Sequence, residues 1–190
     1  THETGYLFQP KPGPFVDLFV TNDTVDPWSG TVRWSLETLD GEVLAAGDEG
    51  LTADATGAVK VTHLNFEDLV GPTNERQVVL VYELLEGDDR LSLDVLTFAP
   101  SKHLELADPG LSTTVSGTDD GFEIEVEAER LARFVWLSFG EADEGFTVFS
   151  DNYFDLPAGR SVTISLPPVG DWDLETVRQN LQVRSLVDTF

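Results

Sequence analysis

The sequence predicts an all-β protein built as two tandem β-sandwiches, and three observations carry that reading. Apolar and polar residues alternate with period 2 in run after run, as where Val32, Trp34 and Leu36 oppose Arg33, Ser35 and Glu37; this is the pattern of a strand with one buried face. Clusters of Asn, Asp, Gly and Pro punctuate the runs at the spacing of a sandwich. The pattern stops between Pro100 and Pro109 and then restarts, and each half holds a strand, a loop and a strand with one Trp at its middle, Trp34 and Trp136. Immunoglobulin-like sandwiches often bury a Trp on the third strand. With no cysteine in the chain, apolar packing must fill the space that a disulfide would otherwise occupy.

Residues 1–14 carry Pro10, Pro12, Gly13 and Pro14 and read as an extended lead-in, because Pro fixes φ and removes a donor. Phe15 to Val20 is the first strand. Asn22-Asp23-Thr24 and Asp26-Pro27-Trp28-Ser29-Gly30 form a loop, followed by the alternating strand Thr31 to Glu37. Asp40-Gly41 marks a hairpin into Glu42 to Ala46. Ala58 to Leu64 alternates with Val59, Val61 and His63 on one face. Arg76 to Leu85 and Arg90 to Phe98 are long β-prone runs joined at Gly87-Asp88-Asp89. This gives a first domain over 1–101 and a linker over 102–109. In the second domain, 110–190, Leu111 to Val115 is a short strand and Asp119-Asp120-Gly121 a turn. Phe122, Ile124, Val126 and Ala128 then point inward while Glu123, Glu125, Glu127 and Glu129 form a solvated stripe. Arg133 to Phe139 is apolar on both faces and should be central. Phe146 to Phe149, Ser161 to Leu166 and Leu181 to Leu186 complete the strands, and Leu174 to Leu181 is a turn or short helix.

Composition excludes several classes of function. No apolar run is long enough to span a membrane, and no charged-then-apolar leader opens the chain. The start at Thr1 and the absence of Met suggest a processed chain or an excised fragment. Eleven Lys and Arg face 35 Asp and Glu, a net charge of −24. The excess is even, 18 acids against 5 bases over 1–101 and 17 against 6 over 102–190, so it belongs to the whole surface and not to a tail. Such a surface repels phosphate backbones and argues against nucleic-acid binding. Only Lys11, Lys60 and Lys102 are lysines. Abundant carboxylates with scarce Lys point to an origin in a salt-loving organism, since at molar salt the screening length falls to about 3 Å and self-repulsion largely vanishes.

The search for chemistry is mostly negative. His2, His63 and His103 are scattered, so no His-based metal site is expected. No nucleophile elbow or phosphate-cradling glycine loop occurs, and cysteine catalysis is excluded. Asp151 and Asp155 flank an aromatic cluster, and paired carboxylates do serve glycosidases. Their four-residue spacing in a β corner fixes no distance, however, and Asp there more often bonds turn amides. Asp48-Glu49, Asp88-Asp89 and Asp119-Asp120 are loop or hairpin acids that would at most hold calcium weakly. Trp34 and Trp136, inside apolar patterns, are expected in the cores. Trp28 and Trp172 sit in polar loops, where they could stack on sugar rings, contact a neighbouring domain or plug the fold locally.

The densest stretch is Phe149-Ser150-Asp151-Asn152-Tyr153-Phe154-Asp155-Leu156-Pro157-Ala158-Gly159, in which aromatics are expected to plug the core while Asp and Asn bond a bending backbone. This stretch, Phe149 to Gly159 with Asp151-Asn152-Tyr153-Phe154-Asp155 at its centre, and the closing Val183-Arg184-Ser185-Leu186-Val187-Asp188-Thr189-Phe190 resemble the C-terminal immunoglobulin-like domain of β-mannosidases of glycoside hydrolase family 2. Val20-Thr21-Asn22-Asp23-Thr24 through Gly30, then Val32-Arg33-Trp34 and Leu39-Asp40-Gly41, are similar to the preceding sandwich of those enzymes. Pro157-Ala158-Gly159-Arg160 departs from the family's usual Leu-Pro-Gly-Glu.

The resemblance implies a non-catalytic region. The family removes terminal β-linked mannose by retaining hydrolysis with two Glu residues of a central β/α barrel, and nothing in this chain alternates strands with helices as a barrel does. No residue here is assigned a catalytic, metal or cofactor role. The implied partner is the catalytic barrel of the same polypeptide, with mannosides or manno-oligosaccharides as weak ligands; no nucleic acid or membrane is expected. The alternatives are a carbohydrate-binding or surface adhesion module, or the tail of a family 2 hydrolase of another sugar specificity.

Overall fold

The computed structural model describes residues 14–142 and 147–189. The chain divides into two compact units, one comprising Thr1–Thr38 and Glu42–Glu105, the other Leu39–Gly41 and Leu106–Phe190. Both are built from antiparallel strands arranged as two small sheets.

In the first unit β1 (Phe15–Asn22) pairs with β4 (Gly57–Asn65). The second sheet has the order β3 (Val43–Ala53), β2 (Trp28–Thr38), β5 (Val78–Glu86), β6 (Asp89–Thr97). Strand β1 alternates without error, placing Val16, Leu18, Val20 and Asn22 inward. These pack with Val32, Leu36, Leu64, Phe66, Leu80 and Phe98 to form the core. Val78 to Val81 of β5 are buried on both faces, as befits an inner strand. Trp34 packs against this core, its ring edge-on to Phe66 at 5.9 Å. Gly47 across the β2–β3 pair makes room for the indole, since a Cβ there would lie 2.7 Å from Trp34 Cζ2.

Strand β4 corrects the sequence reading of its faces. Leu18 pairs with Thr62 and Phe19 with Lys60, so Val61 is the extra residue of a β-bulge. The parity of the strand flips there. Leu64 is buried while His63 lies on the outer face, stacked on Phe15 with ring centroids 6.0 Å apart and hydrogen-bonded to Asp17. Asp17 also pairs with Lys60 Nζ at 2.7 Å, and these two hydrogen bonds, that of Lys60 first, hold its carboxyl below the ordinary value. Asn22, 5% exposed, closes the loop after β1. Its amide nitrogen donates to the carbonyls of Asp26, Ala53 and Asp54, and its Oδ1 accepts from Thr24 N and Oγ1.

In the second unit β8 (Gly121–Glu127) lies between β7 (Ser112–Thr118) and β11 (Ser161–Leu166). Phe122, Ile124 and Val126 point inward as the alternation requires, with Glu123, Glu125 and Glu127 outward. Facing them is β9 (Ala132–Ser138), central in its sheet as expected, between β10 (Phe154–Leu156) and β12 (Gln182–Arg184). Val135, Leu137, Phe139, Leu156, Ile164 and Leu166 fill the space between, each at most 1% exposed. Helix α1 (Leu174–Asn180) is a single short helix whose Val177 is fully buried. Asp173 caps it, accepting from Thr176 N and Oγ1, and those bonds lower its carboxyl pKa.

Several expectations shift. The strand expected over 146–149 is absent for 147–149, and Phe146 lies outside the described residues, as do His2 and the lead-in up to Gly13. The final strand is cut to Gln182–Arg184, and Leu186–Thr189 turns into a 3-10 segment. The 102–109 segment is divided: Ser101–His103 form a 3-10 turn and Glu105 N donates to Arg76 O, whereas Pro109 O accepts from Glu129 N and Arg130 N.

Candidate functional site

The corner from Phe149 to Leu156 does a strand's work with side chains. Strand β10 pairs antiparallel with β9 through Phe154↔Val135 and Leu156↔Ala132. Continuing that register would set residue 152 opposite residue 137. At that place the Asn152 side chain takes over the ladder: its Oδ1 accepts from Leu137 N at 2.8 Å and its Nδ2 donates to Leu137 O at 2.9 Å. A primary amide carries the same donor–acceptor pair as a peptide, which is why Asn suits this position. The chain can then turn away, and Tyr153 adopts a left-handed φ of 62°. Ser150 ties the corner's start to the other sheet, its N donating to Ser165 O and its Oγ accepting from Ser165 N.

Asp155 holds the bulge that the β9–β10 register shift creates. Its Oδ1 accepts from Phe134 N at 2.9 Å, where Phe134 itself has a φ of 52°. The same oxygen lies 3.0 Å from Arg133 Nε, an ion pair in which the two side chains are 10% and 11% exposed. The N–H of that nitrogen is not aimed well enough for a directed hydrogen bond. Arg133 also lies over the Phe134 ring at 4.9 Å. Asp155 is thus committed to the fold, while Asp151 is exposed and accepts from Asn152 N. Among the described residues no three His, Cys, Asp or Glu side chains converge on a metal position.

One tryptophan departs from the sequence reading. Trp136 is not a core residue. It is half buried and points away from Val135 and Leu137, stacked on Tyr153 with ring centroids 6.3 Å apart and planes at 5°. The Arg184 guanidinium lies 5.9 Å from the Trp136 ring centre. Tyr153, expected to plug the core, is instead 64% exposed. Period-2 alternation from Val135 and Leu137 was the available signal: it sets Trp136 on the opposite face. Trp172 packs its ring edge-on to the buried Phe139 at 4.9 Å and plugs the second unit locally. Trp28 lies over Gly30, where a Cβ would fall 2.1 Å from its Cη2, and donates from Nε1 to Glu86 Oε1 at 2.8 Å.

An open groove of about 1060 Å³ runs beside Trp136. Ser138, Glu141, Asn180, Gln182 and Arg184 line it together with Trp136. Gly140, with a φ of 56°, makes room for the Gln182 amide, whose Nε2 would lie 2.6 Å from any Cβ there.

Comparison with known proteins divides the chain at the same place as its folding. Residues 16–103 match the mannosidase Ig/CBM-like domain family, and residues 106–189 match the mannosidase family described as an Ig-fold domain. The chain is 26% identical to β-mannosidase A of Aspergillus niger over 188 residues and 26% identical to that of Aspergillus terreus over 186 residues. In each case the match covers 91% of this chain but 20% of the relative, so the chain spans about a fifth of their length. Among solved structures, the β-D-mannosidase of Dictyoglomus thermophilum superposes with a TM-score of 0.79 at 19% identity, over 91% of this chain and 20% of that one. An exo-chitosanase of Amycolatopsis orientalis reaches a TM-score of 0.61 at 14% identity, over 89% of this chain and 24% of that one. At such identities these two likenesses are of fold.

Proposed function

The chain belongs to the C-terminal immunoglobulin-like domains of family 2 β-mannosidases, and we propose that it is the non-catalytic accessory region of such an enzyme, packing on and supporting a catalytic barrel elsewhere in the same polypeptide. The observation that carries this reading is the succession of the two mannosidase domain families over 16–103 and 106–189. The chemistry of the second unit supports it. Asn152 and Asp155, the polar side chains of the most distinctive motif, are bound to backbone and to Arg133, where they rigidify a corner and are not free to transfer protons. A sandwich whose polar groups are spent on its own geometry can hold a neighbour's loops in place and keep water from a substrate entrance. β-Mannoside is the substrate class of the parent, following the Aspergillus relatives; the exo-chitosanase likeness, being of fold, does not move that choice.

The test is reconstitution. The purified chain should release no aryl from an aryl β-mannoside or an aryl β-glucosaminide, and should raise the unfolding temperature of the separately produced remainder of its parent. Turnover by the chain alone, or no effect on the remainder's stability or activity, would overturn the accessory role. Activation on the glucosaminide and not the mannoside would retain that role and replace the sugar.

A further inference from the structure

We propose that Arg178 of α1 guards the edge of β7, and that the edge it covers is a pairing site for a second copy of this chain, opened when the guard is released. An edge strand presents unpaired N–H and C=O groups that template the addition of another strand, and a charge on the strand is a common defence. Among the described residues most edge strands carry one: Asp17 on β1, Lys60 on β4, Asp48 on β3, Asp94 on β6, Asp155 on β10 and Arg184 on β12. The edges β7 and β11 have none. Each of these is stoppered instead by a group from outside its sheet. On β11, Ser150 donates from N to Ser165 O and accepts from Ser165 N through Oγ. On β7, Arg178 Nη2 donates to Val115 O at 2.6 Å, from a helix that packs against the strand. The guanidinium thus fills the place that the N–H of an added strand would take.

The two stoppers differ in what holds them. Ser150 satisfies both backbone groups of Ser165, whereas Arg178 covers one carbonyl with an exposed side chain of the seven-residue α1. Removing the guanidinium opens the centre of β7, and the strand is nearly self-complementary about that centre. Antiparallel pairing of two copies across a twofold axis sets Val115 on Val115, Thr114 on Ser116, Thr113 on Gly117 and Ser112 on Thr118. No like charges meet there, and hydroxyl pairs are favourable cross-strand neighbours. The β7–β8 register runs without a bulge, so nothing twists this edge away from a partner. The Glu row of β8 lies one strand in on each side. Two such rows would stand about 14 Å apart across the joint, well beyond the screening length of about 3 Å in molar salt. A second copy therefore suits the edge at high salt, while the charge of −24 on each copy opposes the approach at low salt.

The experiment measures the mass of the intact chain and its variants by light scattering, with folding followed by circular dichroism. It is run in about 1 M NaCl, where repulsion is screened, over a concentration series reaching about 1 mM. Arg178→Ala and Arg178→Met should each lower the dissociation constant of a dimer by about tenfold or more, the worth of the two backbone hydrogen bonds that the freed carbonyls make across the axis. The Met variant keeps an aliphatic stem and good helix propensity, and so serves if Arg178→Ala fails to fold. Arg178→Lys retains a donor and should keep the mass of the unmodified chain. Adding Thr114→Lys, which places a charge on β7, should return Arg178→Ala to that mass. Arg33→Ala removes an exposed cation from the first unit and should change nothing. A folded Arg178→Met variant with the mass of the unmodified chain throughout the series overturns the proposal. So does association that survives Thr114→Lys, which assigns it to another surface. Equal association of Arg33→Ala also overturns it, since net charge would then be the cause. None of these readouts involves the remainder of the parent enzyme, so the accessory role stands or falls separately.

Discussion

Asn152 shows how one side chain can decide a corner. Its amide satisfies both the N–H and the C=O of Leu137, and Leu137 is 1% exposed, so neither group has bulk water to fall back on. Asn152→Ala should therefore cost about 1–3 kcal/mol, the range for leaving buried polar groups unpaired. Urea unfolding monitored by tryptophan fluorescence measures it, and a midpoint equal to that of the parent chain would exclude the ladder role. Asn152→Asp separates the two bonds, since a carboxylate can accept from Leu137 N but cannot donate to Leu137 O; it should be destabilised as well. This level of detail was half legible in the sequence. The density of Asn, Asp and aromatics in 149–155 announces a structured corner, because no helix or hairpin needs that mixture. Which side chain bonds which backbone is set by the β9–β10 register, and that depends on two strands 15 residues or more apart. Trp136 failed for a related reason: hydrophobicity alone says core, whereas the face is decided by its parity with Val135 and Leu137.

Among the strands, β8 was read without error because its two faces differ as sharply as faces can. Glu123, Glu125 and Glu127 project outward, and their cross-strand neighbours are Ser116, Thr114 and Ser112 on one side and Ser165, Thr163 and Ser161 on the other. Each carboxylate thus sits between two hydroxyls, with no cation opposite it in the register. Hydroxyl neighbours avoid like-charge pairs across the strands, but the three carboxylates still repel one another along β8. Glu125→Gln, at the centre, should stabilise the chain by a few tenths of a kcal/mol at low ionic strength, the usual scale of such surface pairs. The gain should vanish in molar NaCl, where screening removes the repulsion it relieves. Thermal unfolding of both chains at two salt concentrations is the measurement; a salt-independent difference would assign the effect to packing or strand propensity. Strand β4 marks the limit of the same kind of reading. Its alternation is as regular in sequence as that of β8, yet the bulge at Val61 inverts it. A bulge adds a residue without changing composition, so no period-2 count can locate it. Strand β10 was missed because three residues are too few to show a period at all.

Taken over the whole chain, the charge matters more than any single pair. The salt bridges that involve Arg33, Lys60, Arg76 and Arg130 are all at partly exposed positions, where each contributes little. Eleven basic residues cannot neutralise 35 acidic ones whatever the pairing, and the unpaired majority must sit on the surface of two small units. Folding brings those carboxylates closer together than they are in the unfolded chain, so their mutual repulsion opposes the compact state. Between 0.1 M and 1 M salt the screening length falls from about 10 Å to about 3 Å, below the spacing of neighbouring carboxylates on a strand face. The unfolding midpoint should therefore rise steeply with NaCl and level off as that spacing is passed. A polar osmolyte such as sucrose, which acts by exclusion and not by screening, should not reproduce the shape of that curve. If repulsion is the cause, a variant in which several exposed Glu are replaced by Gln starts from a higher midpoint in low salt and gains less from added NaCl. A flat dependence on NaCl in the unmodified chain would mean that the acidic surface is tolerated without salt, and would remove the physical ground for placing the protein in a salt-rich setting.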